Sequence, residues 1–134
     1  MSDFSADGHP AASLDPVAAD AVVARARFAA DGLLPAIIQS VDDDAVLMLG
    51  YMNAEALRRT LTEGRITFWS RSRGEYWRKG DTSGHIQLVR ELALDCDADA
   101  LLVRVHQVGP ACHTGARRCF DVDPVIVSET EAPA

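Results

Sequence analysis

Three cysteines occupy positions where a buried structural thiol is not expected. Cys96 lies in LDCDADA, and Cys112 and Cys119 lie in GPACHTGARRCF, each in a polar stretch just after an alternating apolar run. Zinc favours thiolates, and a catalytic zinc commonly takes three protein ligands plus a water. The count of three fits. The spacing fits no zinc finger or ribbon, because six residues separate Cys112 from Cys119. From spacing alone, three unrelated thiols and a metal site are both open.

Asp95, Asp97 and Asp99 surround Cys96. In an extended segment alternate residues share a face, so three carboxylates would crowd together and repel unless a hard cation sat among them. Magnesium takes oxygen ligands of this kind and keeps several waters. A solvated acidic loop is the simpler alternative, but a thiol directed to the opposite face adds weight to a metal-binding function. A third constellation is FWSRSRGEYWRKGDTSGH. Arg71 and Arg73 are expected on one strand face, followed by Lys79, Thr82, Ser83 and Gly84. Guanidinium forks and hydroxyl- and glycine-rich turns are phosphate-binding chemistry. Trp69, Tyr76 and Trp77 offer stacking surfaces, with one of the two tryptophans expected in the core. Among the histidines, His113 beside Cys112 is the candidate acid–base group. His85 closes the TSGH turn near any substrate, His106 is expected to be structural, and His9 carries no assigned role.

These residues need elements to hold them. Asp15 as N-cap and Pro16 in the first turn start a helix; Val17, Ala21, Ala24 and Phe28 continue it towards a stop at Gly32. PAIIQSV and AVLMLGYM read as a hairpin with Asp42, Asp43 and Asp44 in a plain turn. NAEALRRTLTEG is a short helix capped by Asn53 and stopped by Gly64. RITFWSRS is β-rich, and Gly74 turns it back into EYWRKG. HIQLVRELALD and ALLVRVHQV alternate, the latter with Leu102, Arg104 and His106 on one face. VDPVIVS reads as a last edge strand, since Pro124 excludes an interior position. Helices and strands do not alternate regularly, which argues against a doubly wound parallel sheet. The expected fold is α+β, dominated by antiparallel strands with two short helices. Residues 1–14 are expected to form a loose leader, 15–127 a single domain, and 128–134 an acidic tail.

The chain has 134 residues, 48% of them apolar and 25% charged, the size and composition of one globular domain. Its net charge of −7 disfavours nucleic acid and anionic membranes as partners. That charge resides in the ends: residues 1–20 and 121–134 each hold four acids and no base, while 21–120 hold thirteen bases against twelve acids. Residues 64–90 carry six bases against two acids, a local +4 suited to an anionic ligand. No apolar run approaches the roughly 18 residues of a membrane span. The acidic N-terminus is no secretory signal, and an odd cysteine count suits a reducing compartment, so a cytoplasmic location is expected.

Taken together, WSRSRGEYWRKGDTSGH followed by LDCDADALLVRVHQVGPACHTGARRCF resembles the phosphoribosyl-AMP cyclohydrolases of histidine biosynthesis. Order and spacing agree across three motifs, from about residue 33 to residue 120. His85 departs from the pattern, where asparagine commonly follows TSG. Nothing after Phe120 is long enough for the pyrophosphohydrolase domain fused to this one in many organisms, which implies the monofunctional form. The resemblance further implies an intertwined homodimer that needs both zinc and magnesium. Cys96, Cys112 and Cys119 match the zinc ligands, with Cys96 from one chain and the other two from its partner. Asp95, Asp97 and Asp99 match the magnesium site. The reaction implied is hydrolytic opening of the adenine ring of a phosphorylated nucleotide at C6–N1, the third step of the pathway. Arg71, Arg73, Lys79, Thr82, Ser83, Gly84 and His85 are the expected substrate contacts, and His113 the proton-transfer group. A zinc nucleoside deaminase also attacks adenine C6, but it needs H-x-E and P-C-x-x-C, and neither occurs here. A non-catalytic metal module would close its zinc with a fourth ligand, which this chain has only by recruiting a histidine.

Overall fold

A computed structural model describes residues 12–127; the acidic tail and all but the end of the leader lie outside the described residues. Helix α1 spans Pro16–Arg25, its first turn capped by the Asp15 carboxylate, which accepts from the Ala18 N–H at 2.8 Å. Strands β1 (Leu34–Ser40) and β2 (Val46–Met52) form the expected hairpin around the aspartate turn. Helix α2 (Ala54–Glu63) carries the expected Asn53 cap and stops at Gly64 in the left-handed region. Strands β3 (Thr67–Ser70) and β4 (Glu75–Arg78) pair as a small hairpin, and β5 (Gln87–Leu94) and β6 (Leu101–Gln107) as a longer one. One 3₁₀ turn, η1, covers Cys119–Asp121.

The main sheet runs β2–β1–β6–β5. Its β1–β6 pair is parallel, the one parallel pairing among the described strands. The fold is thus α+β with two helices and mostly antiparallel strands. No helix among the described residues is long and apolar enough to cross a membrane.

Alternation determines the core. Leu34, Ala36 and Ile38 of β1 and Leu101, Val103 and Val105 of β6 point to one face and are buried. Helix α2 lays Ala56, Leu57, Thr60 and Leu61 on them, one helical stripe. On the outer face Ile37, Leu49 and Leu102 stand side by side in register, each more than a third exposed.

Three expectations need correction. Helix α1 ends at Arg25, short of Gly32. Ala26 is already extended, and the Arg27 N–H donates to the Ala98 carbonyl at 2.7 Å, so a tertiary bond draws the chain off the helix axis. Gly32 instead closes the turn that starts at Ala29. The segment 122–127 forms no strand: it pairs with neither sheet edge, and Val125, Ile126 and Val127 remain over 80% exposed. Neither tryptophan enters the core. Phe68 takes that place at 1% exposed, while Trp77 is 42% exposed and Trp69 half-buried.

Phe68 fits because residue 50 has no side chain: a Cβ there would lie 2.4 Å from the Phe68 ring. Gly50→Ala is therefore expected to cost about 1–3 kcal/mol through overpacking, read as a lowered Tm in thermal unfolding. An unchanged Tm would show that the ring is free to move.

Candidate functional site

The chemistry-bearing residues gather at three places. The first is the loop after β6. Cys112 is buried at the start of a tight turn, with its N–H donating to the Ala116 carbonyl at 3.1 Å and the Ala111 N–H to the Arg117 carbonyl at 3.0 Å. Gly115 supplies the positive φ that closes it. The Thr114 hydroxyl donates to Cys112 Sγ at 3.1 Å, and this bond above all draws the Cys112 thiol below its ordinary range. Cys119 opens η1 within interaction distance of Cys112; burial first, then that neighbouring thiol, pushes it up. Arg118 clips the turn by pairing with Asp121. His113 is exposed directly beside Cys112.

The sole lysine of the chain, Lys79, reaches this loop. It is 8% exposed, and Nζ donates to the Ala111 carbonyl at 2.5 Å. Burial pushes its pKa down, while the Cys119 and Cys112 thiols pull the other way. Expected among the substrate contacts, Lys79 here has its ammonium engaged by the backbone carbonyl before Cys112.

The second place is the β5–β6 turn. Asp95, Asp97 and Asp99 do converge, with carboxylate oxygens within 4.8 Å of one another, and all three are exposed. A turn brings them together, not the extended segment expected. Asp95 Oδ1 accepts from the N–H groups of Asp99 (3.0 Å) and Ala100 (3.2 Å), and Ala98 adopts φ 61°. Desolvation raises the Asp95 pKa, but those two backbone bonds and bonds to its carboxylate neighbours outweigh it and leave Asp95 low. Asp99 is raised, mainly by its bond to Asp97. Carboxylates this close can share a proton or hold a cation between them. Cys96 is exposed in the same turn. It does not join the other two cysteines: among the described residues, the aspartates form the one cluster of three metal-ligating groups. The reason is topological. Cys96 precedes β6 and Cys112 follows it, and a seven-residue strand spans about 20 Å.

The third place is a cleft of 560 Å³ between β2 and the β3–β4 hairpin, lined by Tyr51, Trp69, Ser70, Arg71, Ser72 and Trp77 among others. The Arg71 guanidinium lies 3.9 Å from the Tyr51 ring centre, a cation–π contact that fixes its head in the cleft. Arg71 and Arg73 sit on the turn between the strands, not on a shared strand face. They part company there: Arg73 is 77% exposed and lies 3.8 Å from Glu75. Trp77 links this cleft to the cysteine loop, its ring centre 5.5 Å from Lys79 Nζ.

The Thr82–Ser83–Gly84 turn is exposed, with the Ser83 hydroxyl accepting from the His85 N–H at 3.1 Å. The His85 ring lies over Gly109, two residues before Ala111: a Cβ on Gly109 would fall 2.5 Å from His85 Cδ2, and its φ is +73°. His85 is therefore a clamp on the entry to the cysteine loop. Gly109→Ala is expected to destabilise by about 1–3 kcal/mol from strain and overlap. In a His85→Ala background only the strain remains, so a double-mutant cycle in urea should give a clear coupling. Strict additivity would dissociate the two residues.

The aspartate turn is more than plain. Asp42 pairs with His106, Asp44 with Arg104, and Asp43 with Arg117 of the cysteine loop. Each exposed pair is weak alone, but together they tie the β1–β2 turn to β6 and to the loop that follows. Sequence pattern gave no pairing for these acids. The arginine pair Arg117–Arg118 just before Cys119 is the visible signal, and Thr114 two residues after Cys112 is another.

A family profile described as phosphoribosyl-AMP cyclohydrolase matches residues 48–121, a span that holds all three cysteines, the aspartate triplet and the basic hairpin. Curated relatives carry that name as well. The protein from Clavibacter sepedonicus is 68% identical over 84% of this chain and 86% of its own length. Those from Streptomyces griseus and Streptomyces coelicolor are 65% identical over 85% and 88%, and 62% identical over 91% of both chains.

Proposed function

The chain belongs to the phosphoribosyl-AMP cyclohydrolase family, and from that premise we propose that it hydrolyses the C6–N1 bond of 1-(5-phosphoribosyl)-AMP in the third step of histidine biosynthesis. The observation that carries this is the family match across 48–121, which holds every cysteine and aspartate of the site. Ribosylation at N1 leaves C6 an electron-poor amidine carbon. Water adds there, C6 becomes the carbon of a carboxamide, and the pair of electrons of the broken bond leaves with N1.

The donor set fits zinc: Cys112 and Cys119 adjoin one another, and a third thiolate is required. Cys96 of the same chain is at the far end of β6, so the third ligand we assign is Cys96 of the partner subunit. The apolar outer row Ile37, Leu49 and Leu102 supports a homodimer, because a monomer gains nothing by presenting it to water. Zinc at such a site supplies Lewis acidity, which brings the ionisation of water near neutral pH. Asp97 and Asp99 offer hard anionic oxygens for magnesium, with Asp95 holding the turn that presents them.

The remaining roles belong to side chains. His113, exposed beside Cys112, moves protons to and from the reacting centre. Tyr51, Trp69 and Trp77 give the cleft stacking faces for a base, and Arg71 with Ser70 and Ser72 gives it donors for a phosphate. Arg73 and the Thr82–Ser83–Gly84 turn are exposed and accessible to the second phosphate.

The test is direct. Purified protein with measured zinc content is given phosphoribosyl-AMP and magnesium, and ring opening is followed by the change in ultraviolet absorption and by product mass. Substrate left intact by zinc-loaded protein would sink the assignment.

A further inference from the structure

Lys79 is the sole lysine beside twelve arginines, and it is buried. Burying an ammonium without a counter-charge is strongly unfavourable. No carboxylate pairs with it among the described residues; the titratable groups facing it are the Cys112 and Cys119 thiols. The hydrogen bond of its ammonium goes to the carbonyl of Ala111, the residue before Cys112. Its own N–H donates to the Ile66 carbonyl at 2.9 Å, and Gly80 behind it packs so closely on Ile86 that a Cβ would lie 2.6 Å from that backbone. The ammonium is thus delivered to the loop from a rigid base. It is held by a backbone carbonyl rather than left open to an anion.

From this arrangement we propose that Lys79 is a positioning residue of the metal site: it pins the Ala111 carbonyl, so fixing Cys112 against Cys119, and its positive charge offsets the two thiolates. This rests on the zinc assignment above and extends it to the residue that organises the ligands. Lysine is the fitting type. A compact ammonium donates to one carbonyl in a narrow space, where the wide guanidinium fork of arginine needs two acceptors.

The lone lysine makes the test clean. Protein labelled with 13C at lysine Cε gives one side-chain resonance. The metal-free protein is titrated with zinc, then separately with inorganic phosphate, while a chromophoric chelator measures zinc affinity for the unmodified chain, Lys79→Met and Lys79→Arg. The resonance should move in step with zinc bound and stay still with phosphate. Lys79→Met should bind zinc about 10–100-fold more weakly, the range for loss of a supporting partner, and Lys79→Arg, which keeps the charge, should lose less. Zinc binding with an unmoved resonance, or movement with phosphate alone, overturns the inference. So does a folded Lys79→Met chain whose zinc affinity stays within about twofold of the original. If that variant does not fold, the resonance decides on the unmodified protein. Absence of zinc binding by the unmodified protein overturns the metal assignment and this inference with it; zinc binding with a silent lysine overturns this inference alone.

Discussion

Chains carrying Cys96→Ser and chains carrying Cys112→Ser, each inactive alone, are expected to recover about a quarter of the unmodified activity when unfolded together in equal amounts and re-dimerised. Half of the dimers then hold one chain of each kind. In those, one site combines the intact Cys96 of one chain with the intact Cys112 and Cys119 of the other, and the second site carries both lesions. The expectation follows from β6, which separates Cys96 from the other two thiols within a chain. Each variant alone lacks one of three ligands at both sites, and losing one thiolate removes the open three-ligand geometry that zinc needs for catalysis. Zinc content should follow activity. If heterodimers are confirmed by mass and activity does not return, the three cysteines belong to one chain and the placement of Cys96 is wrong.

The double change Asp97→Asn with Asp99→Asn is expected to abolish the response of activity to magnesium while leaving zinc content intact. Direct ligands should cost at least the roughly 10–100-fold in metal affinity that supporting partners cost. Asp95→Asn should be milder, because its Oδ1 is already engaged by the N–H groups of Asp99 and Ala100, and an amide oxygen can accept the same bonds. Magnesium titrations of activity and calorimetry separate the three. An unchanged magnesium dependence in the double variant would place that cation elsewhere.

Local signals suffice wherever the physics is local. The Asn53 cap and Gly64 stop bound α2 because side-chain capping and a left-handed residue act within one turn. The β1–β2 hairpin and the alternation of β6 follow from a period of two. Failures came where a distant group intervened. The Arg27–Ala98 bond ends α1 early, and no window around residue 27 contains Ala98. Pattern gave the 122–127 segment strand character, but a strand exists only if an edge receives it. Lys79 reads as a substrate contact in WRKGDTSG, and only the fold brings Ala111 to its ammonium.

By itself the sequence determined the residue types of the candidate site, the family and most of the elements, because side-chain chemistry, motif order and periodicity are carried by residues close in the chain. Tertiary structure decided which of the candidate residues meet. It gathered the aspartates through a turn, paired Cys112 with Cys119 beneath a buried lysine, and put Cys96 a strand's length away. The aspartate and cysteine turns close through bonds within a few residues, but the lysine over the cysteines and the tie to the β1–β2 turn depend on contacts 32 and 74 positions apart, which no local pattern encodes.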